Sequence, residues 1–170
     1  ADVIHRPTLT GTEDFVYFER EPTLQEIAYL VDTTRVSGLR LVSNILEFLD
    51  QNGTPRLRVR SPYLFDESGR RHGAALTVRG CAVDTDPHPP WGRALTHPGA
   101  TACTVAVSWQ DARVRYPALV DPQWGTTMSM IEARTRHAAT LLDASALAGR
   151  VLITGGFDAA GQALASAELY

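Results

Sequence analysis

The chain has 170 residues, 44% of them hydrophobic and 21% charged, and a formal net charge of −3. That is enough apolar material for one good core, or for one domain and part of a second, and it argues against a disordered polymer. The small net charge, with no arginine stripe along any predicted element, argues against a nucleic-acid partner.

Apolar residues come in short bursts separated by Gly, Pro, Asn and Asp, which predicts strands and turns rather than long helices. The first bursts are Phe15-Val16-Tyr17-Phe18, Ile27-Ala28-Tyr29-Leu30-Val31, Leu39-Arg40-Leu41-Val42 and Ile45-Leu46-Glu47-Phe48-Leu49. Residues 23–31 also fit a short helix through Leu24, Ile27, Ala28 and Val31, and strand is the preferred reading. Asp50-Gln51-Asn52-Gly53 is a hairpin turn, because Asn-Gly tolerates positive φ. Leu57-Arg58-Val59-Arg60 then alternates as a strand with one wet face, and Asp66-Glu67-Ser68-Gly69 is a further turn. Ala75 to Val78, Thr104 to Trp109, Arg113 to Tyr116 and Ala118 to Val120 complete the series. Their spacing predicts an antiparallel β-sandwich rather than βαβ units.

The two cysteines, Cys81 and Cys103, flank a Pro-rich loop that runs from Asp84-Thr85-Asp86-Pro87-His88 through Trp91-Gly92 to His97-Pro98-Gly99. A disulfide between them is expected, stabilising by about 3 kcal/mol in the chain-entropy view; the alternative is two separate buried thiols. No stretch reaches the roughly 18–20 apolar residues that span a bilayer, so no membrane span is expected. All sixteen basic residues are arginine, which reads as a coding bias. The chain begins at Ala1, which fits either a mature product after signal-peptide removal or an excised segment.

From about Trp124 the texture changes. Thr126 to Met130 leads into Glu132-Ala133-Arg134-Thr135-Arg136-His137-Ala138-Ala139-Thr140-Leu141-Leu142, then a small-residue insertion from Asp143 to Ala148. Arg150-Val151-Leu152-Ile153-Thr154-Gly155-Gly156 follows, then a Gly-containing turn and Ala167-Glu168-Leu169-Tyr170. In order and spacing, Arg134, His137, Gly155, Gly156, Glu168 and Tyr170 resemble one bacterial kelch repeat. The resemblance implies a β-propeller blade in which the paired glycines permit close backbone approach. Trp124 with Met128-Ser129-Met130 resembles the blade's outer strand displaced to the front, and one such repeat cannot close a propeller ring. Residues 10–122 carry a second likeness. Tyr116-Pro117-Ala118-Leu119-Val120-Asp121-Pro122, with Asp50 to Gly53 and Pro62 to Asp66 upstream, is similar to a β-rich spacer module of bacterial cell-surface and toxin-repeat proteins.

Candidate chemistry is sparse. His5, His72, His88, His97 and His137 lack zinc-site spacing, so no metal ligand is expected. The Asp84, Asp86 and His88 run is a candidate cation site, although turn formation explains it better. No nucleophile elbow or phosphate-binding glycine loop occurs. Trp91, Trp109 and Trp124 are candidate ligand-facing aromatics, with core or interface packing as the preferred role.

The expectation is therefore an all-β chain, a sandwich-like module over residues 1–122 followed by a partial kelch blade over residues 123–170. The resemblances imply a non-catalytic, cofactor-free bacterial protein, secreted or on the cell surface, that binds a protein or glycan partner. Two alternatives stand beside it: a fragment of a kelch-type copper-radical oxidase resembling galactose oxidase, and self-association through the open β edge at Ser166 to Tyr170.

Overall fold

The computed structural model describes residues 1–8, 11–88, 90, 92–110, 112–126, 130, 132–142 and 150–169. Among them the protein is all-β, with strands β1 (Asp2–Thr8), β2 (Gly11–Phe18), β3 (Glu26–Asp32), β4 (Gly38–Val42), β5 (Ile45–Leu49), β6 (Pro55–Val59), β7 (Tyr63–Phe65), β8 (Arg71–Gly73), β9 (Ala75–Arg79), β10 (Ala102–Ser108), β11 (Ala118–Asp121), β12 (Gln123–Thr126), β13 (Ala138–Leu142), β14 (Arg150–Thr154) and β15 (Ala167–Leu169). All strand pairings are antiparallel, and the chain divides into two compact units, Ala1–Thr127 and Met128–Tyr170. The boundary lies beyond the one expected after residue 122. Trp124 pairs with Thr12 of β2 and Val59 of β6, so it belongs to the first unit and is no detached outer strand of the second. Met128 and Ser129 lie outside the described residues.

The first unit is a sandwich of an eight-strand path carrying β1 at one side and a three-stranded sheet, β3-β10-β9. Prolines shape the larger sheet. β11 and β12 oppose β2 in one register, Ala118 facing Phe18 and Gly125 facing Gly11, interrupted where Pro122 has no N–H to give. On their other side β11 takes β7 and β12 takes β6. Between those pairings Arg60, Ser61 and Pro62 stand opposite Pro122 and Gln123, an extra residue that makes a bulge and forks the sheet. β5 and β4 continue from β6, and β8 continues from β7.

β8 runs through buried Ala74 into β9 and so changes sheets, which closes a corner of the sandwich. Asn44 stitches that corner. Its Nδ2 donates to Ala74 O at 2.8 Å and its Oδ1 accepts from Leu76 N at 2.7 Å. Asn44 can do so because Ser43 and Asn44 form a two-residue hairpin with φ of 51° and 60°, a backbone that Asn tolerates. The core between the sheets is Leu39, Leu46, Phe48, Val59, Leu64, Leu76, Val105, Val107, Trp109 and Val120.

Asp50-Gln51-Asn52-Gly53, Asp66-Glu67-Ser68-Gly69 and Asp158-Ala159-Ala160-Gly161 build the same turn. In each the Asp Oδ1 accepts the N–H groups two and four residues on, and the Gly N–H donates to the Asp carbonyl. The glycines have φ of 75°, 77° and 77°, the left-handed position that ends a tight hairpin loop. Of residues 23–31, Glu26 to Val31 are strand in β3, while 23–25 form a bend ahead of it, and no helix forms there. Arg113 to Tyr116 is not the strand expected: Ala112 N–H donates to Trp109 O, and the segment turns to lay Val114 and Tyr116 against the core.

Candidate functional site

The second unit is a meander, β13-β14-β15, in which Ala138 faces Thr154 and Thr154 faces Ala167. β14 is followed by Gly155 and Gly156, with φ of 64° and 95°. A Cβ on Gly156 would stand 2.5 Å from Thr135 O and 3.1 Å from His137 N, so the chain before β13 passes where only glycine leaves room. Thr135 and Phe157 exchange backbone hydrogen bonds across that approach, both at 2.9 Å.

Arg134 ties the strands together, and its side chain is fully buried. Nη1 donates to Gly155 O at 2.9 Å and to Ser166 O at 3.1 Å. Nη2 donates to Glu168 Oε1 at 2.7 Å, to Ser166 Oγ at 2.9 Å and, more weakly, to Glu132 Oε2 at 3.4 Å. Arg134 Nε and His137 Nδ1 are buried without a hydrogen-bond partner among the described residues. The planar fork of arginine suits this task, since it meets carbonyl and carboxylate acceptors in fixed directions. Of the residues expected to mark the repeat, the structure thus gathers Arg134, His137, Gly155, Gly156 and Glu168. Tyr170 lies outside the described residues.

In the first unit a disulfide joins Cys81 and Cys103, whose Cα atoms are 5.6 Å apart. The loop it closes is also held from within. Asp84 bonds the backbone of Leu39 and Leu41, while Arg40 Nη2 donates to Pro87 O and His88 O, and Arg93 pairs with Asp84. Asp84, Asp86 and His88 therefore do not converge on a cation. Asp84 Oδ1 accepts from Asp86 N, and Asp86 Oδ1 meets both the N–H and the ring of His88. Among the described residues no group of three His, Cys, Asp or Glu side chains is placed to hold a metal.

Trp109 and Trp124 serve the core. Trp109 is 2% exposed and its Nε1 donates to Tyr116 OH at 3.0 Å. Trp124 packs its ring between Tyr29 and Phe48, with centroids at 5.4 and 6.2 Å. Trp91 lies outside the described residues. A shallow depression lined by Gly73, Ala75, Ser108, Trp109, Gln110 and Ala112 offers a hydroxyl and an amide but no titratable side chain.

Two polar clusters were not legible in the sequence. Arg40, Glu47 and Arg58 form a row across β4, β5 and β6, with Glu47 taking 2.9 and 2.8 Å bonds from its neighbours. Only the register brings the three together. On the outer face of the same sheet Asp121 is 4% exposed and stands opposite Tyr63. Burial pushes the Asp121 carboxyl up, and Tyr63, partly buried and hydrogen-bonded to Asp121, is pushed up to about 12. The Tyr63 ring in turn lies 4.1 Å beneath the Arg71 guanidinium.

Compared with known family models, curated proteins and solved structures, the chain matches none.

Proposed function

We propose that this chain is a non-catalytic module of an exported bacterial protein, a sandwich that precedes and supports the start of a kelch-type propeller. Recognition of a protein or glycan partner falls to the loops at the ends of the blades. The observation that carries the reading is the knot of Arg134 with Gly155 and Glu168 behind a double glycine, because those residues in that order also mark the repeat in the sequence. The Cys81 to Cys103 disulfide supports export to an oxidising compartment. No helix among the described residues is long and apolar enough to cross a membrane.

The test is the protein isolated from its source, fractionated by compartment and weighed intact with and without reduction. The proposal expects it outside the cytoplasm, with the disulfide formed and with further repeats of about fifty residues in the same polypeptide. A reduced cytoplasmic product without such repeats would overturn it.

A further inference from the structure

The face of the larger sheet that is turned away from the core is apolar in its middle. Strand alternation puts Val16, Leu64 and Val120 on the core side, so their chain neighbours Phe15, Tyr17, Tyr63, Phe65 and Leu119 point the other way. Ile4 of β1 stands opposite Phe15 and joins them. Ile4 is 58% and Phe65 40% exposed, and the other four are partly exposed. A contiguous apolar face on a folded unit marks an interaction site.

The cross-strand registers order this face in rows. One row runs Asp2, Tyr17, Leu119, Phe65, Arg71 across β1, β2, β11, β7 and β8. The next runs Ile4, Phe15, Asp121, Tyr63, Gly73, with Phe15 and Asp121 one step on in the β2 and β11 register. The first row therefore has a carboxylate at one end, a guanidinium at the other and Leu119 at its centre. Both charged residues are exposed, and Arg71 is held at its end of the row by the Tyr63 ring.

That order selects the occupant. A two-fold axis between two copies, parallel to the strands and over Leu119, reverses each row. It sets Asp2 of each copy against Arg71 of the other, Tyr17 against Phe65 and Leu119 against itself. In the second row it sets Phe15 against Tyr63 and the protruding Ile4 over Gly73, where even a Cβ would meet nothing within 4 Å. Asp121 faces its own copy, but at 4% exposed it lies beneath the contact surface. An axis across the strands would instead oppose Asp2 to Asp2 and Arg71 to Arg71. A glycan fits less well, because the guanidinium of Arg71 covers the Tyr63 ring, which stands at 79° to Phe65 and shares no stacking plane with it.

We propose that this face joins two copies of the chain, sheet against sheet in the aligned manner of sandwich layers. Five strands and two rows of side chains cover about 500 Å² on each copy, at the low end for a specific interface, so association is expected at micromolar concentrations and above. The proposal does not depend on the kelch reading of the second unit.

The experiment is sedimentation of the full chain from about 1 μM to 1 mM, where a monomer–dimer equilibrium is expected. Asp2→Arg and Arg71→Asp each bring like charges together twice per dimer, and each should weaken self-association about tenfold. Mixed together, the two variants pair arginine with aspartate at both ends of the row, so they should form a heterodimer at concentrations where neither associates alone. Leu119→Asp, at the centre, should abolish the dimer, with unchanged amide protection at Val105 of β10 reporting that the fold persists. A monomer at every concentration, a dimer indifferent to both charge reversals, or a mixture that associates no better than its parts would each overturn the proposal.

Discussion

Replacing Arg134 with Met keeps much of the side-chain volume and removes the guanidinium. Five hydrogen bonds go with it, and the Glu168 side chain, 8% exposed, keeps its carboxylate without the arginine. Breaking a buried ion pair by removing one partner costs about 3–5 kcal/mol. The unit concerned, Met128–Tyr170, is small, and a chain of that size has roughly 2–6 kcal/mol of stability at typical values per residue. The substitution is therefore expected to melt β13 to β15 selectively. Native-state amide exchange reads this directly: Leu152, Ile153 and Thr154 should lose protection, while Val105 and Val107 of β10 provide the reference. Replacing Glu168 by Leu in the same chain should recover part of the loss, since the buried carboxylate that faced the guanidinium is then gone. Unchanged protection in β14 of Arg134→Met would refute the assignment of the knot as the unit's main tie.

Gly156→Ala should destabilise the same strands, because its Cβ meets Thr135 O at 2.5 Å and its φ is 95°; unaltered exchange at Phe157 would contradict this. Asn44→Ala strands Ala74 O and Leu76 N at the sheet-switching corner, at about 1–3 kcal/mol for each unsatisfied group, read as a lower urea midpoint at constant slope. Two carboxyls should respond to pH with opposite sign. Asp66, held far below its ordinary range by Ser68, His72 and two backbone N–H groups, contributes stability that is present above the unfolded value near 4 and lost as pH falls below it. Asp66→Asn should flatten that acid limb. Asp121, raised by burial, opposes folding once ionised, so Asp121→Asn should stabilise at pH 7 relative to the parent, and a loss at pH 7 would refute that reading. Removing the disulfide by Cys81→Ser with Cys103→Ser should cost about 3 kcal/mol. Amides of Leu41 and Asp84 should nevertheless stay protected below the global transition, because Asp84 and Arg40 hold the loop to β4 independently.

The parts of this fold that are legible in the sequence are those written in local chemistry. Asp50 to Gly53 and Asp66 to Gly69 announce their turns by residue type, and the bursts around Tyr17, Tyr29, Phe48 and Val105 become β2, β3, β5 and β10. What depends on partners is not legible. β1 carries only Val3 and Ile4 as adjacent large apolar residues, with Pro7 beside its end, and is held by pairing to β2 rather than by burial. Arg113 to Tyr116 alternates like a strand, but a turn that sends Val114 and Tyr116 to the core satisfies the same pattern. Trp124 reads by type as part of the tail, whereas its neighbours in space, Thr12 and Val59, come from far upstream. The knot was visible as a set of residues, and its geometry was not, since nothing local tells that Arg134 reaches Glu168.

The central claim, that β13, β14 and β15 open a propeller, is tested most directly by an experimental structure of the protein as its source makes it. The account predicts these strands as one blade of a ring of four to eight, with the Arg134 knot intact and a fourth strand supplied from elsewhere in the polypeptide. A three-stranded sheet standing outside any ring, or packed on another layer, would contradict it.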